Sequence, residues 1–221
     1  MIRSVVAPEK KSNQLQMNYE EYLIWSRTYE GRTEWVDGEV VVHMSVKPVH
    51  QEIVNFLFVL LNLFVRLHKL GRVTTAPVEV KLTPRISREP DIFFIATDLL
   101  AQLTDTRFEG APTLAIEVIS GESVRRDRET KYKEYQNAGV QEYWIIDSRE
   151  GKQRADFYRL NEKGEYVLVG TEDDERFESA VLPNFWLDPN WLWQVGEVEP
   201  FLKFLEIAAM PVDEIVKKLE G

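Results

Sequence analysis

The sequence predicts an α/β domain in which a central mixed sheet is flanked by helices, and three consecutive stretches between residues 89 and 147 carry that prediction. In EPDIFFI, Ile92, Phe93, Phe94 and Ile95 form an unbroken apolar run of strand length, with Asp91 at its mouth. In TLAIEVIS the two-residue period of a strand puts Leu114, Ile116 and Val118 on one face and Ala115, Glu117 and Ile119 on the other. Glu117 therefore stands mid-strand among apolar and small neighbours. Between this strand and the buried-strand pattern VQEYWIID, residues 124–138 read as a helix stopped by Gly139 as its C-terminal cap. Helical spacing aligns Val124, Lys131, Tyr135 and Ala138, with Asp127 and Arg128 one turn before the lysine, and turns Lys131 toward the core.

The remaining elements follow in order. Residues 1–13 read as a mobile leader. Asn18 caps a short helix whose Tyr19, Tyr22, Leu23 and Trp25 make an apolar stripe. TEWVDGEVVVHM is a hairpin around Asp37-Gly38, a strong two-residue turn signal, and Glu34 lies at the start of its first strand. An apolar helix fills 48–70, ended by Gly71. Its run of about a dozen apolar residues falls short of the ~20 that span a bilayer. Being apolar on nearly every side, it predicts burial all round, one face on the sheet and another on a second subunit, hence a homodimer. His50, in its first turn, serves either as a cap or as a contact to the site. RVTTAPVEVKL gives strand, proline break and strand; TPRISREP gives the turn before Asp91; residues 98–112 give a helical turn and loop. Arg126, Glu129 and Lys133 share an exposed, ion-paired face, whereas Arg125 and Arg128 flank the lysine and are placed to meet phosphate. KQRADFYRL and EYVLVG form a hairpin joined at 161–164, and EDDE at 172–175 is a surface turn. Trp186, Trp191 and Trp193 dock the C-terminal part on the core, and residues 195–221 form a helical tail, amphipathic from Glu199.

With 221 residues and 44% hydrophobic content, one well-cored domain over 1–221 is expected. The 27 Lys plus Arg against 37 Asp plus Glu give a net charge of −10, which opposes tight non-specific nucleic-acid binding but leaves room for a local basic groove. No cysteine is present, so disulfides, thiolate metal sites and thiol nucleophiles are excluded, and a metal would have oxygen or imidazole ligands. MIRSVVAPEKK has no long apolar segment behind its charges, so a cytoplasmic location without membrane insertion is the expectation. The sequence contains no Gly-rich phosphate loop, Ser-His-Asp arrangement or zinc pattern.

Two carboxylates and a lysine at burying positions pose a physical question, because unpaired charges in apolar surroundings cost several kcal/mol each. Either Asp91, Glu117 and Lys131 form a structural network, or the carboxylates hold a hard divalent cation beside an ammonium that can position water.

EPD, IEVIS and RRDRETKYKEYQNAGVQEYWIID occur here in that order, with TEWVDGEV, His50 opening the apolar helix, and VLPNFWLD near the end. Together they resemble the Uma-two family of restriction-endonuclease-like proteins, a branch of the PD-(D/E)xK nuclease superfamily, over about residues 19–192. The resemblance implies a restriction-endonuclease-like core with Asp91 and Glu117 as metal carboxylates, and it places a glutamate at Glu34 as a third active-site carboxylate. It implies Mg2+ as cofactor, with Mn2+ as a substitute, and DNA as partner. One position departs from the wider superfamily: two residues after Glu117 stands Ile119, so the lysine of a strict ExK is missing from the strand. Lys131, on the following helix, matches the position to which this family moves it. The expectation is a magnesium-dependent endonuclease hydrolysing phosphodiester bonds of DNA. Asp91 and Glu117 would hold the metal with help from a backbone carbonyl near Val118, and Lys131 would orient or deprotonate the attacking water. The alternatives are a non-catalytic binding or assembly module on the same fold, and a metal-dependent hydrolase of another substrate.

Overall fold

Apolar runs with period-two alternation on both faces settle into the middle of a sheet covered on both sides, and the strand carrying Glu117 is such a run. The computed structural model describes residues 15–42, 46–119, 121 and 123–220; the leader expected over 1–13 and the end of the hairpin stretch at 43–44 lie outside them. The N-terminal part supplies β1 (Leu15–Gln16), α1 (Tyr19–Ser26), β2 (Thr33–Val36), β3 (Glu39–Val42) and α2 (Pro48–Leu67). The central part supplies β4 (Gly71–Thr75), β5 (Glu79–Thr83), β6 (Ile86–Arg88), β7 (Ile92–Ala96), β8 (Arg107–Glu109) and β9 (Leu114–Ile119). Then come a π-helical turn (Arg126–Lys131) leading into α3 (Tyr132–Ala138), and β10 (Glu142–Asp147), β11 (Arg154–Leu160) and β12 (Tyr166–Thr171). The chain ends in β13 (Phe177–Glu178), β14 (Trp186–Leu187), α4 (Pro200–Ala208) and α5 (Val212–Glu220).

The architecture is mixed α/β, as expected, but it contains two six-stranded sheets instead of one central sheet. One has the order β12-β11-β10-β9-β7-β4, with β9 and β10 parallel and the other neighbours antiparallel. Its two faces follow the alternation read from the sequence. Phe94, Leu114, Ile116, Val118, Trp144 and Ile146 join the core formed with α2, α4 and α5, while Phe93, Ile95, Ala115, Ile119, Tyr143 and Ile145 pack with Tyr135 of α3 and with Val80, Leu82 and Phe108 of the second sheet. That second sheet has the order β1-β3-β2-β6-β5-β8. It exists because TPRISREP contributes strand β6 where a turn was expected, and β6 pairs with both β2 and β5. The polar Ser87 and Arg88 concealed this strand from an apolar reading, yet both are buried.

Local signals explain the rest. Asn18 and Glu21 form a reciprocal capping box at the start of α1, Glu21 N–H donating to Asn18 Oδ1 and Asn18 N–H to Glu21 Oε2. Asp37 and Gly38 both take positive φ (51° and 91°), as a two-residue hairpin turn requires. Helix α2 stops at Leu67, so Gly71 does not end it but opens β4; with φ 145°, a Cβ there would lie 2.0 Å from the Ile95 carbonyl oxygen. At 20 residues α2 is long and apolar enough to cross a membrane by length and composition, yet it buries Ile53, Leu57, Leu60, Leu61, Phe64 and Val65 in the core. Helices α4 and α5 of the same chain pack against α2. The C-terminal tail is two helices instead of one, separated where Ala209 turns left-handed and Pro211 cannot continue the ladder.

Buried Glu142 ties this C-terminal part to the sheet, accepting from Ser179 Oγ (2.9 Å), Trp144 Nε1 (3.2 Å) and the Ala180 N–H. Replacing it with alanine strands these donors in an apolar setting. Glu142→Ala should lower unfolding free energy by about 3 kcal/mol, read as a lower urea midpoint; a midpoint equal to that of the wild type would show that the residue does not anchor the C-terminal elements.

Candidate active site

The chain crosses from one sheet to the other through Glu89-Pro90-Asp91, between the ends of β6 and β7, and the charged side chains gather at this joint. Strand β7 runs antiparallel to β9 with Ile92 opposite Ile116, so continuing the register by one residue sets Asp91 across from Glu117. Glu117 lies on the face of β9 toward α3, as its alternation requires, and is 3% exposed. Glu34 comes from β2 of the second sheet and is fully buried, which rules out a surface cross-strand charge. Lys131 sits at the end of the π-helical turn, 1% exposed. The uninterrupted α-helix expected over 124–138 is thus widened at 126–131, the turn from which Asp127 and Lys131 both point into the protein; such π turns recur at functional sites.

Lys131 Nζ lies 2.8 Å from Glu117 Oε1 and 2.9 Å from Glu34 Oε1, with Asp127 Oδ1 at 3.8 Å. One ammonium therefore joins a carboxylate from each sheet. Tyr135, one helical turn on, donates to Glu117 Oε1 at 2.8 Å. Arg88 donates to Glu34 Oε2 at 2.9 Å and makes a two-bond fork to Glu134 at 2.7 Å, while the Glu89 N–H donates to Glu34 Oε1. Asp91 is equally engaged. Arg32 donates to its Oδ1 at 2.7 Å; His50 Nε2 at 3.2 Å and the Val118 N–H at 2.8 Å reach its Oδ2. The Val118 N–H thereby helps to orient Asp91.

All four sequence-predicted residues, Asp91, Glu117, Lys131 and Glu34, are brought together, and His50 touches Asp91 instead of capping α2, whose N-cap is Lys47. Arg125 and Arg128, expected to meet phosphate, both carry ion pairs. Arg128 pairs with buried Asp156, and exposed Arg125 pairs with Glu129. Sequence reading missed Arg32, Arg88 and the role of Tyr135. Arg32 and Glu34, two apart at the start of a strand, carried the one available signal: side chains at that spacing share a face.

Electrostatics follow from crowding. Burial pushes Glu117 up to about 8, with Asp127, Asp91 and Glu34 adding to the rise and Lys131 opposing it. Burial alone would lower Lys131, but Glu117, Glu34 and Asp127 outweigh it and hold it above its usual value. The lysine divides its charge among three carboxylates, so it stays charged while no single carboxylate is fully compensated. Burial would raise Asp91, yet the His50 hydrogen bond and the Arg32 charge hold it well below the ordinary carboxylate range. Glu89, whose Oε2 lacks a hydrogen-bond partner among the described residues, is raised to about 8, first by burial.

A sequence profile of the Uma2 family, described as "putative restriction endonuclease", matches residues 19–190. Among solved structures, a protein of Anabaena variabilis described as "a putative nuclease belonging to DUF820" superposes with a TM-score of 0.65 at 16% identity, covering 81% of this chain and 98% of its own; this likeness speaks for the fold. No curated protein matches.

Glu89 and Glu117 have reference values of 4.5. Between that pH and about 8 the folded chain keeps protons that the unfolded chain has released, so raising the pH through this window removes stability. In chelator, the denaturant midpoint of the wild type should fall between about pH 5.5 and about pH 8.5, and that of Glu117→Gln should fall less. Parallel pH profiles for the two proteins would contradict the raised Glu117.

Proposed function

Because this chain belongs to the Uma2 family, we propose that it hydrolyses phosphodiester bonds of DNA as a magnesium-dependent endonuclease, with the joint between its two sheets as the active site. The observation that carries this reading is the meeting of Asp91, Glu117, Glu34 and Lys131 from four separate elements at one buried point.

The donor set fits a hard divalent cation. Six carboxylates (Glu34, Glu89, Asp91, Glu117, Asp127, Glu134) face four permanent cations (Arg32, Arg88, Arg126, Lys131), an excess of two negative charges when all are ionised. Proton uptake by the raised carboxylates relieves that excess, and two positive charges held by Asp91 and Glu117 would relieve it equally. Magnesium takes only one or two carboxylates, with water completing its shell. When bound, magnesium or manganese supplies a Lewis acid for a phosphoryl oxygen and makes water more acidic.

The chain's own residues do the rest. Lys131 holds an attacking water and offsets charge developing on the phosphate. Glu34, fixed by Arg88 and the Glu89 N–H, keeps the ammonium in place. Tyr135 restrains Glu117 through the same oxygen that the lysine uses, leaving Oε2 outside both bonds. Arg32, one-quarter exposed, neutralises Asp91 and stands at the rim where substrate phosphate arrives.

A second reading, a neutralised structural network in a binding module, draws on one observation: among the described residues no three of His, Cys, Asp and Glu are arranged to close around an ion. Activity and metal response separate the two. Asp91→Asn, Glu117→Gln and Lys131→Met should each reduce magnesium-dependent nicking by at least about a hundredfold, with circular dichroism unchanged in the two carboxylate variants and stability lowered in Lys131→Met. Magnesium should raise the wild-type melting temperature, since a ligand at a hundred times its dissociation constant adds about 2.7 kcal/mol, and Asp91→Asn should lose that response. Nicking retained by the two carboxylate variants, or a wild-type melting curve identical in magnesium and chelator, would remove the nuclease reading and leave the network.

A further inference from the structure

Two cavities open on either side of His50, and their linings differ. The first, about 550 Å³, has Arg32, His50 and Asp91 at one end; Tyr29, Val54, Phe58 and Pro77 line it, with the amides of Gln51 and Asn55. The second, about 500 Å³, is lined by Lys47, His50, Arg149 and Lys152, with Glu150 the one acidic residue among the described residues of its lining. On a chain of net charge −10 this second cavity brings Lys47 and Lys152 together, Arg149 being forked onto Asp147, and it continues from the candidate active site through a shared histidine. His50 Nδ1 is buried without a hydrogen-bond partner among the described residues.

Phosphates have no use for aromatic and apolar walls. In a duplex the bases are stacked away, and a cavity that size beside the reacting phosphate would stay empty or hold water. An unpaired base, by contrast, has a flat face for Tyr29 or Phe58 and a polar edge for amides. Gln51 Nε2 donates to Asn55 Oδ1 at 3.0 Å, which leaves an acceptor on the glutamine and donors on the asparagine for that edge. Such cavities, walled by apolar groups with a few polar ones to fix orientation, are the usual form of small-ligand sites, and a nucleobase is a ligand of that kind.

We infer that the substrate is an unpaired nucleic-acid segment: one base occupies the cavity beside Asp91, and neighbouring phosphates lie over Lys47 and Lys152. This rests on the nuclease reading and adds the substrate class to it. It also accounts for the acidic composition, since an enzyme that holds a base and a few phosphates of a single strand does not need the broad positive surface that a duplex demands.

The test measures fluorescence anisotropy of the full chain in calcium, with probe length checked afterwards, using oligothymidylate, the same strand paired to its complement, and an abasic strand of equal length. Oligothymidylate should bind roughly tenfold tighter than either of the others. Tyr29→Ala should erase most of the advantage over the abasic strand. Lys47→Glu with Lys152→Glu should weaken both single strands alike and flatten the dependence of log K on log salt by about 1.4, or about 0.7 for each phosphate no longer neutralised. Oligouridylate in parallel tells whether the unpaired strand is DNA or RNA. Equal binding of the abasic strand overturns the base cavity, and equal binding of the duplex overturns the preference for unpaired strands; both leave the nuclease reading intact while nicking persists. Absence of binding by every probe, together with absence of nicking, overturns both.

Discussion

A single buried ammonium bridges the two sheets at the joint where their charges meet. Lys131 reaches Glu117 of one sheet and Glu34 of the other at hydrogen-bond distance, and the groups around it are arranged to keep those two carboxylates tolerable. Without the lysine, two buried carboxylates would face each other across the joint, with Asp127 and Asp91 close by. Buried ion pairs of this sort seldom contribute net stability, because desolvation consumes what the Coulomb attraction returns. An apolar cluster at the same place would hold the sheets at least as well. The retention of so many charges where hydrophobic side chains would pack is the physical reason to read the joint as chemistry.

The supporting residues are arranged around that centre in a consistent order. Arg88, 2% exposed, spends its guanidinium on Glu34 and Glu134 and so links the second sheet to α3. Arg32 and His50 do for Asp91 what Lys131 does for Glu117, and they come from opposite sides, Arg32 preceding β2 and His50 in the first turn of α2. Asp91 is held ionised while Glu117, across the register from it, is pushed toward its neutral form. Two carboxylates in different protonation tendencies at one site are what acid–base and metal chemistry both exploit.

The acidic net charge and a nuclease site are compatible once charge is considered locally. Permanent cations are drawn inward to pair with buried carboxylates, and Lys47 and Lys152 line one cavity next to the site. Whole-chain charge governs long-range capture; the few contacts at the reacting phosphate govern what is held there.

Residue spacing alone determined a good part of this. The period-two alternation of 114–119 exposed Glu117 as a charge on a burying face, the helical spacing of 124–138 turned Lys131 inward, and Asp37-Gly38 marked the hairpin that carries Glu34. Periodicity can do this because which face a side chain takes is a local property of the backbone. It could not supply the partners. Arg88 meets Glu34 across 54 residues and Arg32 meets Asp91 across 59, and such pairings exist only after β6 has joined β2 and the chain has crossed between sheets. Nor could it show that α4 and α5 pack against α2, because an apolar surface looks the same in sequence whether its own chain or another one buries it. The second sheet, the widened turn before α3 and the two cavities that meet at His50 were decided by tertiary structure, since each depends on which distant elements pack side by side and not on the preference of any one segment.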